Sequence, residues 1–110
     1  MSDRGLTHVA LPVSNLEQSL AFYAKYANMR VVHSRKSENS GTRVAWISDR
    51  TRPFVIVLLE LGEVKHPLRP PTHLGVGCAS REEVDRLVAE ARSEGRTVEG
   101  PTDSPYPVGY

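Results

Sequence analysis

Cysteine is almost missing from this chain. Cys78 is the only one in 110 residues, so no intrachain disulfide and no cysteine-based zinc cluster can form, and any metal must be held by histidine and carboxylate. Charge of one sign is equally scarce. Fourteen Lys and Arg face thirteen Asp and Glu, a formal net charge of +1, which supplies no field to draw in nucleic acid or an anionic membrane. Long apolar runs are lacking as well: the longest, Phe54 to Leu59, falls far short of the roughly 20 residues that span a bilayer. The opening Met1-Ser-Asp-Arg has no apolar signal region, and a soluble, cytoplasmic protein is the expectation. What remains is ordinary globular composition, 39% apolar and 25% charged, in a length that suits one domain.

Leu6 to Val13 alternates, with Val9, Leu11 and Val13 on one side of a strand and His8, Ala10 and Pro12 on the other. The pattern Ser14-x-x-Glu17 then predicts a capping box, and Leu16, Leu20, Tyr23 and Ala27 recur at helical spacing as one apolar stripe. Val31 and Val32 mark a second strand over Met29 to Lys36, and the polar stretch Ser37 to Thr42 around Gly41 reads as a hairpin loop. Two more strands are expected at Arg43 to Ser48 and Phe54 to Leu61. The prolines 67, 70 and 71 make a connector that cannot continue a sheet.

Beyond the connector the pattern starts again. Thr7-His8-Val9-Ala10-Leu11 corresponds to Thr72-His73-Leu74-Gly75-Val76 at an offset of 65, and a second capping box, Ser80-x-x-Glu83, follows at an offset of 66. Val84, Leu87, Val88 and Ala91 then give a helix that stops near Gly95, with a new strand expected around Thr97 to Glu99. Relative to Leu6 to Gly62, the second copy is short by roughly two strands. Pro105 to Tyr110 reads as the approach to a further strand, and a continuing chain is the expectation.

His8 and His73 hold equivalent places in the two copies and share strand parity with small residues, Ala10 in one case and Gly75 and Gly77 in the other. Two imidazoles above small neighbours suit a divalent metal. Read from pattern alone they are equally well two strand histidines with satisfied hydrogen bonds. A third ligand has to be a carboxylate, and Glu60 is the internal candidate, in the otherwise apolar run Phe54 to Leu61 and on a face with Phe54, Ile56 and Leu58. A carboxylate there is paired, metal-bound or at the exposed end of its strand. Trp46 either lines a substrate cup, stacking on a flat compound, or simply packs. The basic residues Arg43, Arg50 and Arg52 either meet an anionic substrate or serve loop solubility. His33 and His66 read as surface residues, and Cys78 as a small buried apolar one.

The segments Leu6-Thr-His-Val-Ala-Leu-Pro-Val-Ser-Asn-Leu-Glu-Gln-Ser-Leu-Ala-Phe-Tyr23 and Pro71-Thr-His-Leu-Gly-Val-Gly-Cys-Ala-Ser80 resemble the vicinal oxygen chelate superfamily, which includes lactoylglutathione lyase, extradiol dioxygenases and bleomycin-resistance proteins. That resemblance implies an α+β fold in which two βαβββ modules form one cupped mixed sheet. Here it implies a single domain over 1–110, with module one at 4–62 and module two at 71–110, incomplete at its C-terminal end. It implies His8 and His73 as metal ligands and Glu60 as the nearest match to the fourth-strand Glu, ligand or base, with Val57 the alternative lining residue. The family's last Glu usually follows an Asp-Pro-Asp-Gly turn, and no such turn occurs in this sequence. The implied cofactor is a divalent ion (Fe, Zn, Ni, Mn or Co), the implied chemistry a lyase, isomerase or extradiol dioxygenase acting on a small oxygenated compound, and the implied assembly a homodimer. The competing implication is a metal-free protein of the bleomycin-resistance kind that sequesters a flat or cationic ligand in the same cup.

Overall fold

In a computed structural model, which describes residues 4–110, the chain forms β1 (His8–Val13), α1 (Leu16–Ala27), β2 (Arg30–Lys36), β3 (Arg43–Ser48), β4 (Val55–Glu60) and α2 (Arg81–Ser93). It divides into two compact units, one ending at His73 and the other running from Leu74 to Tyr110. No helix among the described residues is long and apolar enough to cross a membrane.

The first unit is a mixed four-stranded sheet in the order β1-β4-β3-β2, with β1 parallel to β4 and the other pairs antiparallel. β1 and β2 are therefore the two edges. Leu16, Leu20 and Tyr23 of α1 pack on one face of the sheet against Ala45, Ile47, Ile56 and Leu58, of which Ile47 and Leu58 are fully buried. Direct cross-strand neighbours point to the same face, so the register decides which residues share that core. Val9 lies opposite Ile56, Leu11 opposite Leu58 and Val13 opposite Glu60, which puts the odd-numbered residues of β1 on the helix side. His8, Ala10, Val55, Val57 and Trp46 occupy the other side.

The helix starts differ in how they are capped. α2 begins as the sequence predicts, with Ser80 Oγ accepting from the Glu83 N–H at 3.1 Å and the Glu83 carboxylate reaching back to the Ala79 N–H at 2.8 Å. At α1 the cap is Asn15 rather than Ser14: its extended backbone brings Oδ1 to within 3.0 Å of the Gln18 N–H. Glu60 takes the Leu16 N–H, at 2.8 Å, so a carboxylate from the end of β4 does part of the capping.

The strands expected at Thr72 to Val76, which straddles the boundary of the two units, and at Thr97 to Glu99, in the second, do not form. An alternating segment becomes a strand only when its backbone groups find a ladder partner. The described residues of this unit offer just α2 and an isolated bridge between Ser104 and Gly109. Leu74 and Val76 are consequently exposed.

Candidate functional site

The face of the sheet opposite α1 carries a cavity of about 750 Å³. Its floor is a row of cross-strand neighbours, Ala10 opposite Val57, Val57 opposite Trp46 and Trp46 opposite His33. Small and β-branched residues on β1 and β4 leave the space, and the indole supplies a flat wall. His8 reaches the same cavity from β1, one strand step from Ala10, and Arg35 and Arg52 reach it from β2 and from the loop before β4.

Trp46 has two ring partners, both on β2. The His33 ring centroid is 4.8 Å from the indole at an interplanar angle of 59°, and the Arg35 guanidinium lies over the indole face with Cζ at 5.9 Å. The indole Nε1 is buried and has no hydrogen-bond partner among the described residues. Trp46 stands on the cavity wall and also packs against its β2 neighbours.

His33 was expected at the surface. It is exposed, yet it also lines the cavity. The cause is a bulge: pairing shifts between Val31 and His33, so Val32 and His33 both turn to the cavity face. Strict alternation hides this, and the only signal in the sequence is a polar residue following two valines.

The two histidines singled out by the repeat are each held at Nδ1 by a neighbour in sequence. His8 Nδ1 lies 2.9 Å from Thr7 Oγ1, and His73 Nδ1 lies 2.8 Å from the Pro71 carbonyl oxygen. A carbonyl only accepts, so His73 donates from Nδ1, and its neutral ring presents the Nε2 lone pair with which imidazole binds a metal. A hydroxyl both donates and accepts, so Thr7 orients the His8 ring without fixing its tautomer. His8 lines the cavity and His73 is not among its lining residues.

Glu60 is elsewhere. It shares the helix face with Leu58, and both of its oxygens are engaged: Arg43 Nε and Nη2 donate to Oε1 and Oε2 at 2.8 Å each, and the Leu16 N–H donates to Oε2. Arg43 also donates to both oxygens of Glu17 on α1, at 2.6 and 2.8 Å. One guanidinium thus ties β3, β4 and α1 together, in the bidentate geometry that Arg favours. These donors, Arg43 foremost, hold the Glu60 carboxyl down at about 2 and push Arg43 further up, while Glu17 is lowered chiefly by Arg43. As a ligand or base beside His8, Glu60 does not fit, because it stands on the wrong face of the sheet and is committed to the fold. Val57 holds the lining position on β4 instead. The basic cluster divides in the same way: Arg43 is structural, and Arg52 lines the cavity.

No group of three His, Cys, Asp or Glu among the described residues is arranged to hold a metal ion. The imidazoles have the chemistry of ligands, and the acid that would complete a set is not supplied by β4 or by the cavity wall.

Residues 5–110 match the model of the glyoxalase/bleomycin resistance protein/dioxygenase superfamily. An uncharacterized protein of Pseudomonas aeruginosa is 35% identical over 108 residues, covering 96% of this chain and 76% of its own. Among solved structures, trypanothione-dependent glyoxalase I of Leishmania major aligns with a TM-score of 0.72 at 20% identity, over 98% of this chain and 83% of that one. A mutant of a genomically encoded fosfomycin resistance protein of Listeria monocytogenes, complexed with Mn(II) and a dihydroxypropylphosphonic acid, aligns with a TM-score of 0.69 at 21% identity, over 98% and 81%. A possible glyoxalase of Bacillus cereus gives 0.71 at 25%, over 91% and 82%. The likeness at these identities is one of fold, a mixed α+β arrangement with a four-stranded mixed sheet and two helices.

Proposed function

Because the chain belongs to the glyoxalase/bleomycin resistance protein/dioxygenase superfamily, we propose that it is a metal-dependent enzyme of the vicinal-oxygen-chelate type, a lyase, isomerase or extradiol-type dioxygenase whose small oxygenated substrate lies over Trp46 beside His8. The observation that carries this reading is the treatment of the two histidines. Each ring is anchored at Nδ1, neither Nε2 has a partner among the described residues, and His73 is fixed as the ligand tautomer. His8 and His73 are the residues that would hold a divalent ion, which would supply Lewis-acid stabilisation of charge on a substrate oxygen. The remaining work falls to the chain's own residues. Ala10 and Val57 leave room for a flat compound, the indole of Trp46 stacks on it and displaces water, and His33 and Arg35 of β2 hold the indole in place. Glu60 has no part in this chemistry.

One observation favours a second reading. Among the described residues no carboxylate lines the cavity, as suits a metal-free protein that only sequesters its ligand. Metal analysis of freshly purified, intact protein separates the two. The enzyme reading expects close to one divalent ion per chain, lost in His8→Ala and in His73→Ala and kept in Glu60→Gln. Less than about a tenth of an equivalent, unchanged by the two histidine substitutions, overturns it and leaves the binder.

A further inference from the structure

The cavity wall is one-sided in charge and in hydrogen bonding. Arg35, Arg52, His8 and His33 reach it, and among the described residues no Asp or Glu does. Arg43 is matched with Glu17 and Glu60, Arg81 with Asp103 and Arg86 with Glu90, whereas Arg30 and Arg92 donate to backbone carbonyls. Arg35 has no carboxylate partner among the described residues, and Arg52 makes no ion pair there, its charge only helping to lower the nearby Asp49 carboxyl. Arg35 rests its guanidinium over Trp46, and Arg52 donates only to the neighbouring Thr51 hydroxyl, at 3.2 Å. Ser48, the buried hydroxyl on this wall, already accepts from the Arg50 N–H.

A guanidinium over an aromatic plane, in a cavity with no carboxylate among its described lining residues, calls for a ligand that brings flatness and negative oxygen together. We infer that the ligand of this cavity is a small planar carboxylate, its ring on Trp46 and its oxygens on Arg35. Arg35 is placed for this because it already lies over the indole face, so an anion paired with it adjoins the ring that holds the rest of the molecule. Arg52, at the His8 end of the cavity, sets the field that excludes cations. This inference rests on the small-molecule reading above and narrows its substrate class. It does not depend on the metal.

Trp46 is the only tryptophan in the sequence, so its fluorescence reports this cavity alone. The test titrates intact protein, kept in EDTA, with benzoate and with its neutral and cationic near-isosteres, benzamide and benzylammonium. Benzoate is expected to quench saturably at millimolar concentration, at least about tenfold more tightly than either isostere, and Arg35→Ala is expected to remove about that tenfold. At about 0.3 kcal/mol per heavy atom a benzoate-sized ligand reaches half-saturation near 10 mM, so no saturable change by that point overturns the inference. Benzamide or benzylammonium binding as well as benzoate also overturns it, as does Arg35→Ala binding benzoate like the parent protein. The comparison of the three ligands on the unaltered chain needs no variant to fold. Because EDTA keeps metal out of the measurement, failure here leaves the His8 and His73 reading to its own metal analysis.

Discussion

Replacing Leu58 with Ala tests the assignment of the two sheet faces on which the site depends. Leu58 is fully buried in the middle of β4, opposite Leu11 on one side and Ala45 on the other, beneath α1. The substitution removes three carbons, and at about 0.8 kcal/mol each the lost transfer energy is about 2.4 kcal/mol. Two sheet strands and a helix bound the space and cannot collapse fully into it, so the cavity left behind raises the cost to about 3–4 kcal/mol. With a urea slope of about 2 kcal/mol per M, the unfolding midpoint falls by about 1.5–2 M. Trp46 fluorescence follows the transition from the other face of the same sheet. Val32→Ala, on the exposed edge strand, serves as the control and is expected to cost under about 0.5 kcal/mol. A Leu58→Ala cost below about 1 kcal/mol refutes the face assignment, and with it the separation of Glu60 from His8.

Glu60 gives the pH counterpart. Its carboxyl is lowered from 4.5 to about 2 in the folded chain, chiefly by the Arg43 hydrogen bonds, so its contribution to stability is complete above 4.5 and is lost as pH falls through about 2. Urea midpoints measured across that window should drop in the parent protein and flatten in Glu60→Gln. An unchanged slope in the variant would place the carboxylate outside the Arg43 network.

The first unit was largely legible because its strands and helix carry distinct periods. Leu16, Leu20 and Tyr23 at helical spacing, and Val9 and Leu11 at strand spacing, point to one core from two elements, as the packing shows. The parity of Glu60 with Leu58 was also readable. What the chain could not state was which parity of β4 lies beside His8, since Phe54 to Leu59 is apolar on both faces and carries no mark of either. Pairing of His8 with Val55 settles that, and pairing is a long-range fact. The bulge that brings His33 against Trp46 is a local departure from the same rule. Thr72 to Val76 repeats the first strand's pattern well, but pattern specifies a face and not a partner, so the second copy stays outside any sheet.

The repeat makes Thr7-His8 and Thr72-His73 look interchangeable, and the structure distinguishes them. His8 leans on the Thr7 hydroxyl, whereas His73 gives its Nδ1 proton to the Pro71 carbonyl. If the two imidazoles share a metal, the residue behind each ring tunes its basicity and aim, and the two threonines must differ in effect. Thr7→Val keeps shape and removes the hydroxyl. Since the Thr7 contact is exposed and competes with water, the loss belongs at the low end of what such supports contribute, about tenfold in metal affinity by calorimetric titration. Thr72→Val should change nothing, because a backbone carbonyl cannot be deleted by exchanging a neighbour's side chain. Equal losses in both variants would show that the histidines are supported by their threonines alike and that the Pro71 contact does not set the tautomer of His73. No loss in Thr7→Val would remove the His8 ring from metal binding or show that water replaces the hydroxyl without penalty, and His8→Ala decides between these.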